Sequence, residues 1–148
     1  MHKGFNGSRG PRGLWLATLL ASLPLAGVAE ASEHTAQQSA AAMLLGLMSQ
    51  GYSQVLKEDS ARLGPEAMAR YQVVLQAEEQ YAIFSTGDEG VADLDILVVD
   101  ENGNEVARDE QVDPNPVVIL TPRWTGSFVI YIKNVGLTPG WSYTAIAF

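Results

Sequence analysis

From position 70 to the end of the chain, short runs rich in β-branched and aromatic residues follow one another, each closed by glycine, proline, asparagine or aspartate. The runs fall at 71–76, 80–86, 94–99, 105–110, 117–121, 128–133 and 141–148. Between the third and fourth lies Asp100-Glu-Asn-Gly-Asn104, and Asn-Gly flanked by two such runs is the strongest short-range signal for a β-hairpin. About seven strands at this spacing predict an all-β domain, an antiparallel sandwich or jelly roll. The chain has no cysteine, so no disulfide framework, thiol nucleophile or thiolate metal site is available, and burial alone must hold the domain.

A different period precedes the strands. Apolar residues at Ala36, Ala40, Met43, Leu44, Leu47, Met48, Tyr52, Val55 and Leu56 keep the three-to-four spacing of one helical face. Thr35-Ala-Gln-Gln38 matches a capping box, and Leu63-Gly64-Pro65 is a stop, with Asp59-Ser60 an earlier one. The spacing predicts one amphipathic helix over 35–63, within a segment 32–65, its stripe packed on the β domain. A partner or dimer surface is the alternative use of that stripe.

The first 31 residues have the three parts of a secretory leader. Lys3, Arg9 and Arg12 precede an uncharged sixteen-residue run over 14–29, and Ala29-Glu30-Ala31 offers small residues where a signal peptidase reads. A run interrupted by Pro24 is shorter than the roughly 20 residues that span a bilayer. Cleavage after Ala31 is expected, giving a periplasmic or secreted protein with no transmembrane segment. Its removal leaves six bases and sixteen acids, a net charge of about −10. Such a chain repels phosphate backbones, which excludes nucleic acid as a partner and favours cations or basic protein and cell-surface partners.

Asp93-Leu-Asp-Ile-Leu-Val-Val-Asp-Glu-Asn-Gly-Asn104, then Asp109, then Thr121-Pro-Arg-Trp-Thr-Gly-Ser-Phe-Val-Ile-Tyr-Ile132 and Tyr143-Thr-Ala are the residues of a recognisable pattern. It runs from an Asp-Leu-Asp-Leu strand and an Asp-x-x-Gly hairpin to a Pro-x-x-Thr-Gly-aromatic corner and a closing tyrosine strand. Over about 70–148 the chain resembles the bacterial pre-peptidase C-terminal (PPC-like) domain. The resemblance implies a secreted β-sandwich of the kind appended to proteases and, in some members, binding calcium or matrix. It also implies that Leu94, Ile96 and Val98 face the core, and that Tyr143 does so too.

Little here supports catalysis. Downstream of residue 31 the only histidine is His34, beside the cleavage point, and there is no Gly-x-Ser-x-Gly, phosphate loop or zinc set. A carboxylate-dependent hydrolase needs two paired acids, and no pair is singled out. The acids are nevertheless concentrated: twelve lie between Glu78 and Asp113, with Arg108 the only base among them. Asp93 and Asp95 would project outward together, and a three- or two-residue turn would set Asp95 opposite Asp109 or Glu110. Opposed like charges are destabilising unless neutralised. Arg108, Arg123 or Lys133 would serve, and so would a calcium ion held by Asp88, Glu89, Asp93, Asp95 and Asp109, while the plainer reading of the acidic face as a whole is a solvated surface. Asp100-x-Asn102-x-Asn104 resembles the opening of a calcium loop, but Gln111 stands where the glutamate belongs, so it reads as the hairpin turn.

Among the aromatics, Trp124, Tyr131, Trp141 and Tyr143 suit packing, with Trp124 beside Arg123 the most exposed. Val129 and Tyr131 are expected outside the core, and Phe128, Ile130 and Ile132 within it. The sequence thus points to an exported non-enzymatic binding or accessory module. A secreted carboxylate hydrolase, or a structural subunit using an exposed helix stripe, are its alternatives.

Overall fold

Asn102-Gly103 does make the predicted turn, with Gly103 at φ +82°, and the strands on either side pair. The structure, a computed structural model, describes residues 26–148, with side chains from Glu33 onward. One helix, α1 (Ala26–Met48), precedes eight strands: β1 (Val55–Leu63), β2 (Met68–Leu75), β3 (Tyr81–Gly87), β4 (Leu94–Val99), β5 (Glu105–Asp109), β6 (Val117–Leu120), β7 (Gly126–Asn134) and β8 (Gly140–Ala147). They form two sheets, ordered β1-β8-β3-β6 and β2-β7-β4-β5, with every pairing antiparallel. Eight strands crossing between two sheets in this order make a jelly roll.

Alternation fills the space between the sheets. Leu94, Ile96 and Val98 on β4 are fully buried, as the resemblance implies, and Phe128, Ile130 and Ile132 on β7 join them. From the other sheet come Leu63, Tyr81, Ile83, Val118 and Ile146. The central strand β3 is buried along both faces, which an exposed sheet would not permit. Its second face meets α1. Ala40, Leu47 and Tyr52 pack on Ala82, Phe84, Ala145 and Ala147, with Met43 and Leu44 at the margin, and Ala36 is buried one turn earlier. Alanines on both surfaces let the helix backbone approach closely enough for Thr86 Oγ1 to donate to the Ala36 carbonyl at 2.8 Å. The apolar stripe therefore covers the sheet, although Leu45 and Met48 stay 69% and 59% exposed.

Several expectations need correction. The helix ends at Met48, not near Leu63, and 55–63 is the edge strand β1. Gly51, at φ +106°, takes a backbone turn that other residues resist, while the Gly51 and Tyr52 amides close onto the Met48 and Leu47 carbonyls. Beyond it, pairing of β1 with β8 over 55–63 overrides the helical spacing of Val55 and Leu56, both of which are solvent-exposed. The sandwich thus begins at Val55 and has one strand more than expected. Thr35 is no N-cap, because the helix already runs from Ala26. The leader assigned to 1–31 lies, as far as residue 25, outside the described residues; α1 continues through the expected cleavage point. Tyr143 shares its face with Ala145 and Ala147, but that face looks toward the helix and not into the inter-sheet core. Its hydroxyl donates to the Glu58 carboxylate, and burial followed by that bond pushes its pKa up to about 12. Val129, expected outside, is nearly buried. Among the described residues no helix is long and apolar enough to cross a membrane.

Candidate functional site: the Trp124 cleft

The acids between Glu78 and Asp113 have local work. Asp88 Oδ1 accepts the Gly90 amide at 3.0 Å, Asp100 Oδ1 that of Asn102 at 2.8 Å, Asp109 Oδ1 that of Gln111 at 3.1 Å, and Asp113 Oδ1 that of Asn115 at 2.7 Å. Each is the same device, an aspartate mimicking a backbone turn by capturing the amide two residues ahead. Asp100 also takes the amide and side chain of Asn104, and those bonds, the side-chain one first, hold its carboxyl below the ordinary range. Four of the twelve acids between Glu78 and Asp113 are therefore turn chemistry.

This disperses the five carboxylates considered for calcium. Asp88 is buried in its turn, Glu89 is exposed and accepts from Thr35 Oγ1, and Asp109 spends its second oxygen on the Val117 amide at 3.0 Å. Asp93 and Asp95 remain, and Asp93 Oδ1 is buried without a hydrogen-bond partner. Among the described residues no three acids or histidines gather as a metal would require.

The repulsion foreseen at Asp95 is nonetheless present. Ile96 pairs with Asp109, so Asp95 falls level with Glu110, while Lys133 pairs with it from the other side on β7. Burial raises the Asp95 pKa, Asp93 and Glu110 raise it further, Lys133 opposes them, and Asp109 adds a little. The internal neutralisers are thus Lys133, which also bonds Glu66, and Arg108, which bridges Glu105 at 3.3 Å and Glu110 at 3.5 Å. A carboxyl with a folded pKa above its ordinary 3.8 opposes folding once ionised. That opposition is absent below 3.8 and grows as pH rises through the folded value. Asp95→Asn should accordingly add about 0.5 kcal/mol at pH 7 and nothing at pH 3, measured by urea unfolding. A loss at pH 7 would mean that attraction to Lys133 outweighs the rest.

An opening lies elsewhere, where the edge strands β5 and β6 meet the β6–β7 corner. It is a cleft of about 310 Å³ lined by Val106, Leu120, Thr121, Pro122, Arg123, Trp124 and Phe128. Three local features build it. The β4–β5 register shifts by one residue, with Val98 opposite Ala107 and Val99 opposite Glu105, leaving Val106 as the extra residue of a bulge. The β6–β7 corner is tied to the β2–β3 turn, the Glu78 amide donating to the Pro122 carbonyl at 2.8 Å and the Ala77 amide to Thr125 Oγ1 at 2.9 Å. Trp124, 38% exposed, leans on Phe128 with ring centroids 5.7 Å apart and donates its indole N–H to Glu101 at 3.3 Å. Gly126 makes room, since a Cβ there would stand 3.0 Å from both the indole and Glu101 Oε2.

The result is an aromatic wall, an apolar floor and one cation. Arg123 is exposed and makes no ion pair among the described residues. The lining contains no carboxylate. A second cleft, near Tyr52, has Glu79 as its only acid, and a narrow one near Tyr71 has Asp59 alone. Sequence reading marked Trp124 and Arg123, but it missed the bulge that delivers Val106.

No family model matches the chain, and no curated protein matches it. Solved structures do. The pre-peptidase C-terminal domain of a collagenase from Bacillus anthracis superposes with a TM-score of 0.52 over 61% of this chain and 87% of that one, at 11% identity. The fold is PPC-like. At that identity the likeness speaks for the PPC-like architecture alone, and the Trp124 cleft belongs to this chain's own residues.

Proposed function

We propose that the chain is an exported, non-enzymatic binding or accessory module whose contact site is the Trp124 cleft. The observation that carries this is the cleft itself, where Val106, Leu120, Trp124 and Phe128, residues that would otherwise complete a core, border open space. Ligand sites are typically concave, mostly apolar and fixed by a few polar groups, and 310 Å³ is at the small end of their range. The leader-like residues 1–31 support export. A hydrolase reading draws no comparable support, since among the described residues the carboxyl raised in pKa is that of Asp95, on β4 and outside this lining. A structural-subunit reading needs the helix stripe free, whereas Ala36, Ala40 and Leu47 are buried against the sheet.

Mapping with small organic probes tests the proposal. In amide and methyl correlation spectra, phenol and isopropanol should shift Val106, Leu120, Trp124 and Phe128 before any other group. Shifts concentrated at Leu45 and Met48 instead would transfer the contact site to the helix.

A further inference from the structure

β1 is an edge strand and, at nine residues, the longest of the four that end the two sheets. The Asp88 amide donates to the Trp141 carbonyl at 2.9 Å, so odd-numbered residues of β8 bond to β3 and even-numbered ones to β1. Lys57, Asp59 and Ala61, opposite Ile146, Thr144 and Ser142, therefore bond inward to β8. The amides and carbonyls of Glu58, Ser60 and Arg62 point away from the sheet, and no strand pairs with them among the described residues. The Glu58 and Arg62 side chains are both exposed, on the face where the Tyr143 hydroxyl donates to Glu58. Neither makes an ion pair among the described residues. α1 lies over β8 and β3 and leaves this part of β1 open.

Edge strands are commonly blunted by charges and bulges. β1 has both, but its bulge ends at Lys57, before the outward groups, and its charges match when the strand is set against itself. In an antiparallel pair, outward-bonding residues must oppose outward-bonding residues, which puts the two-fold axis on a residue position. Centred on Glu58 or Asp59, the pair would set like acids face to face; centred on Ala61, it would leave Glu58 against Gly64. Centred on Ser60, it sets Glu58 of each copy opposite Arg62 of the other, with Asp59 opposite Ala61 and Lys57 opposite Leu63. About six main-chain bonds would then join the copies. We infer that β1 receives the β1 of a second copy of this chain, antiparallel and centred on Ser60, so that two four-stranded sheets become one. The strand suits a like partner because it is neutral within a strongly acidic chain, Lys57 and Arg62 balancing Glu58 and Asp59. β6 ends the sheet farthest from β1, so both Trp124 clefts stay open at opposite ends of the joined sheet. Two contact sites on one body raise avidity without any new contact. This inference goes beyond the cleft reading and does not rest on it.

Sedimentation equilibrium of the intact protein in physiological salt, from micromolar to millimolar concentration, is the test. A monomer–dimer equilibrium is expected. Glu58→Arg and Arg62→Glu each set like charges face to face, and each should weaken the dimer at least tenfold. An equal mixture of those two variants should recover it, since every opposed pair is then of opposite sign. Ser60→Pro removes an outward amide without breaking a β1–β8 bond, a change that edge strands accept, and should also lose at least tenfold. Thermal melts check that the variants fold, and hydrogen exchange at Glu58, Ser60 and Arg62 should slow in the dimer. Trp124→Ala should leave association unchanged. A monomer at every concentration would overturn the inference outright. A dimer that survives both charge reversals, or that Trp124→Ala abolishes, would overturn β1 as the interface. Failure of the mixed variants to associate would overturn the antiparallel register.

Discussion

Leu47→Asp should lower the melting temperature by about 10–20 °C, or release α1 from the sheet so that the helical circular dichroism signal collapses first. Leu47 is 6% exposed, wedged among Tyr52, Phe84, Ala145 and Ala147. Truncating such a leucine costs about 2–5 kcal/mol, and burying an unpaired carboxylate adds to that. Total stability of a domain this size is only about 5–15 kcal/mol, so the change is severe. Leu45→Asp, two residues away on the 69% exposed side, should stay within about 0.5 kcal/mol. Equal, small responses from both variants would show that α1 does not seal the sheet.

Asn134→Ala should destabilise the protein by about 3 kcal/mol, although it removes only a carboxamide. Asn134 is fully buried at the end of β7. Its Nδ2 donates to the Leu63 carbonyl at 3.2 Å and the Thr138 carbonyl at 2.9 Å, and its Oδ1 accepts the Gly136 amide at 3.0 Å. Its own backbone bonds Ala67 and Glu66. One side chain thus ties the end of β1 to the β7–β8 loop, and alanine strands two buried backbone groups, the Leu63 carbonyl and the Gly136 amide, while freeing the Thr138 carbonyl. Asn134→Asp keeps the acceptor but loses both donations and buries a charge, so it should be no better at pH 7. Chemical unfolding of the three proteins provides the comparison. A loss below 1 kcal/mol for alanine would show that water replaces the carboxamide.

The strands from β2 onward were legible because their chemistry is local. Turn residues end each run, Asn102-Gly103 fixes the hairpin, and the family resemblance names Leu94, Ile96 and Val98 as the inward face of their strand, where they are buried. β1 was not legible. Tyr52, Val55 and Leu56 sit at helical intervals, and only pairing with β8, about ninety residues away in sequence, makes 55–63 a strand. The same non-locality hid the faces of β8. Ala145 and Ala147 alternate correctly with Ile146, but nothing local tells which side meets a helix and which a second sheet.

The site followed the same division. Trp124 read as a packing residue, the most exposed of the aromatics, and Arg123 as a neutraliser of acids, whereas Val106 reaches the cleft through a bulge whose position depends on how β4 and β5 meet. Carboxylates that serve as turn caps look, in sequence, like carboxylates waiting for an ion. Aspartate at 88, 100, 109 and 113, each followed two residues later by the amide it holds, is the signal that separates the two.

The most direct test of the central claim is site-specific photo-crosslinking in cells that produce the full chain, with the photoreactive residue placed in turn at Arg123, Met48 and Asp95. These positions report on the cleft, the exposed end of the helix and the acidic strand face. A single discrete adduct from Arg123, lost when Trp124 is also changed to alanine and absent from the other two positions, is the result this account predicts. Adducts from Met48 or Asp95 with none from Arg123 would contradict it.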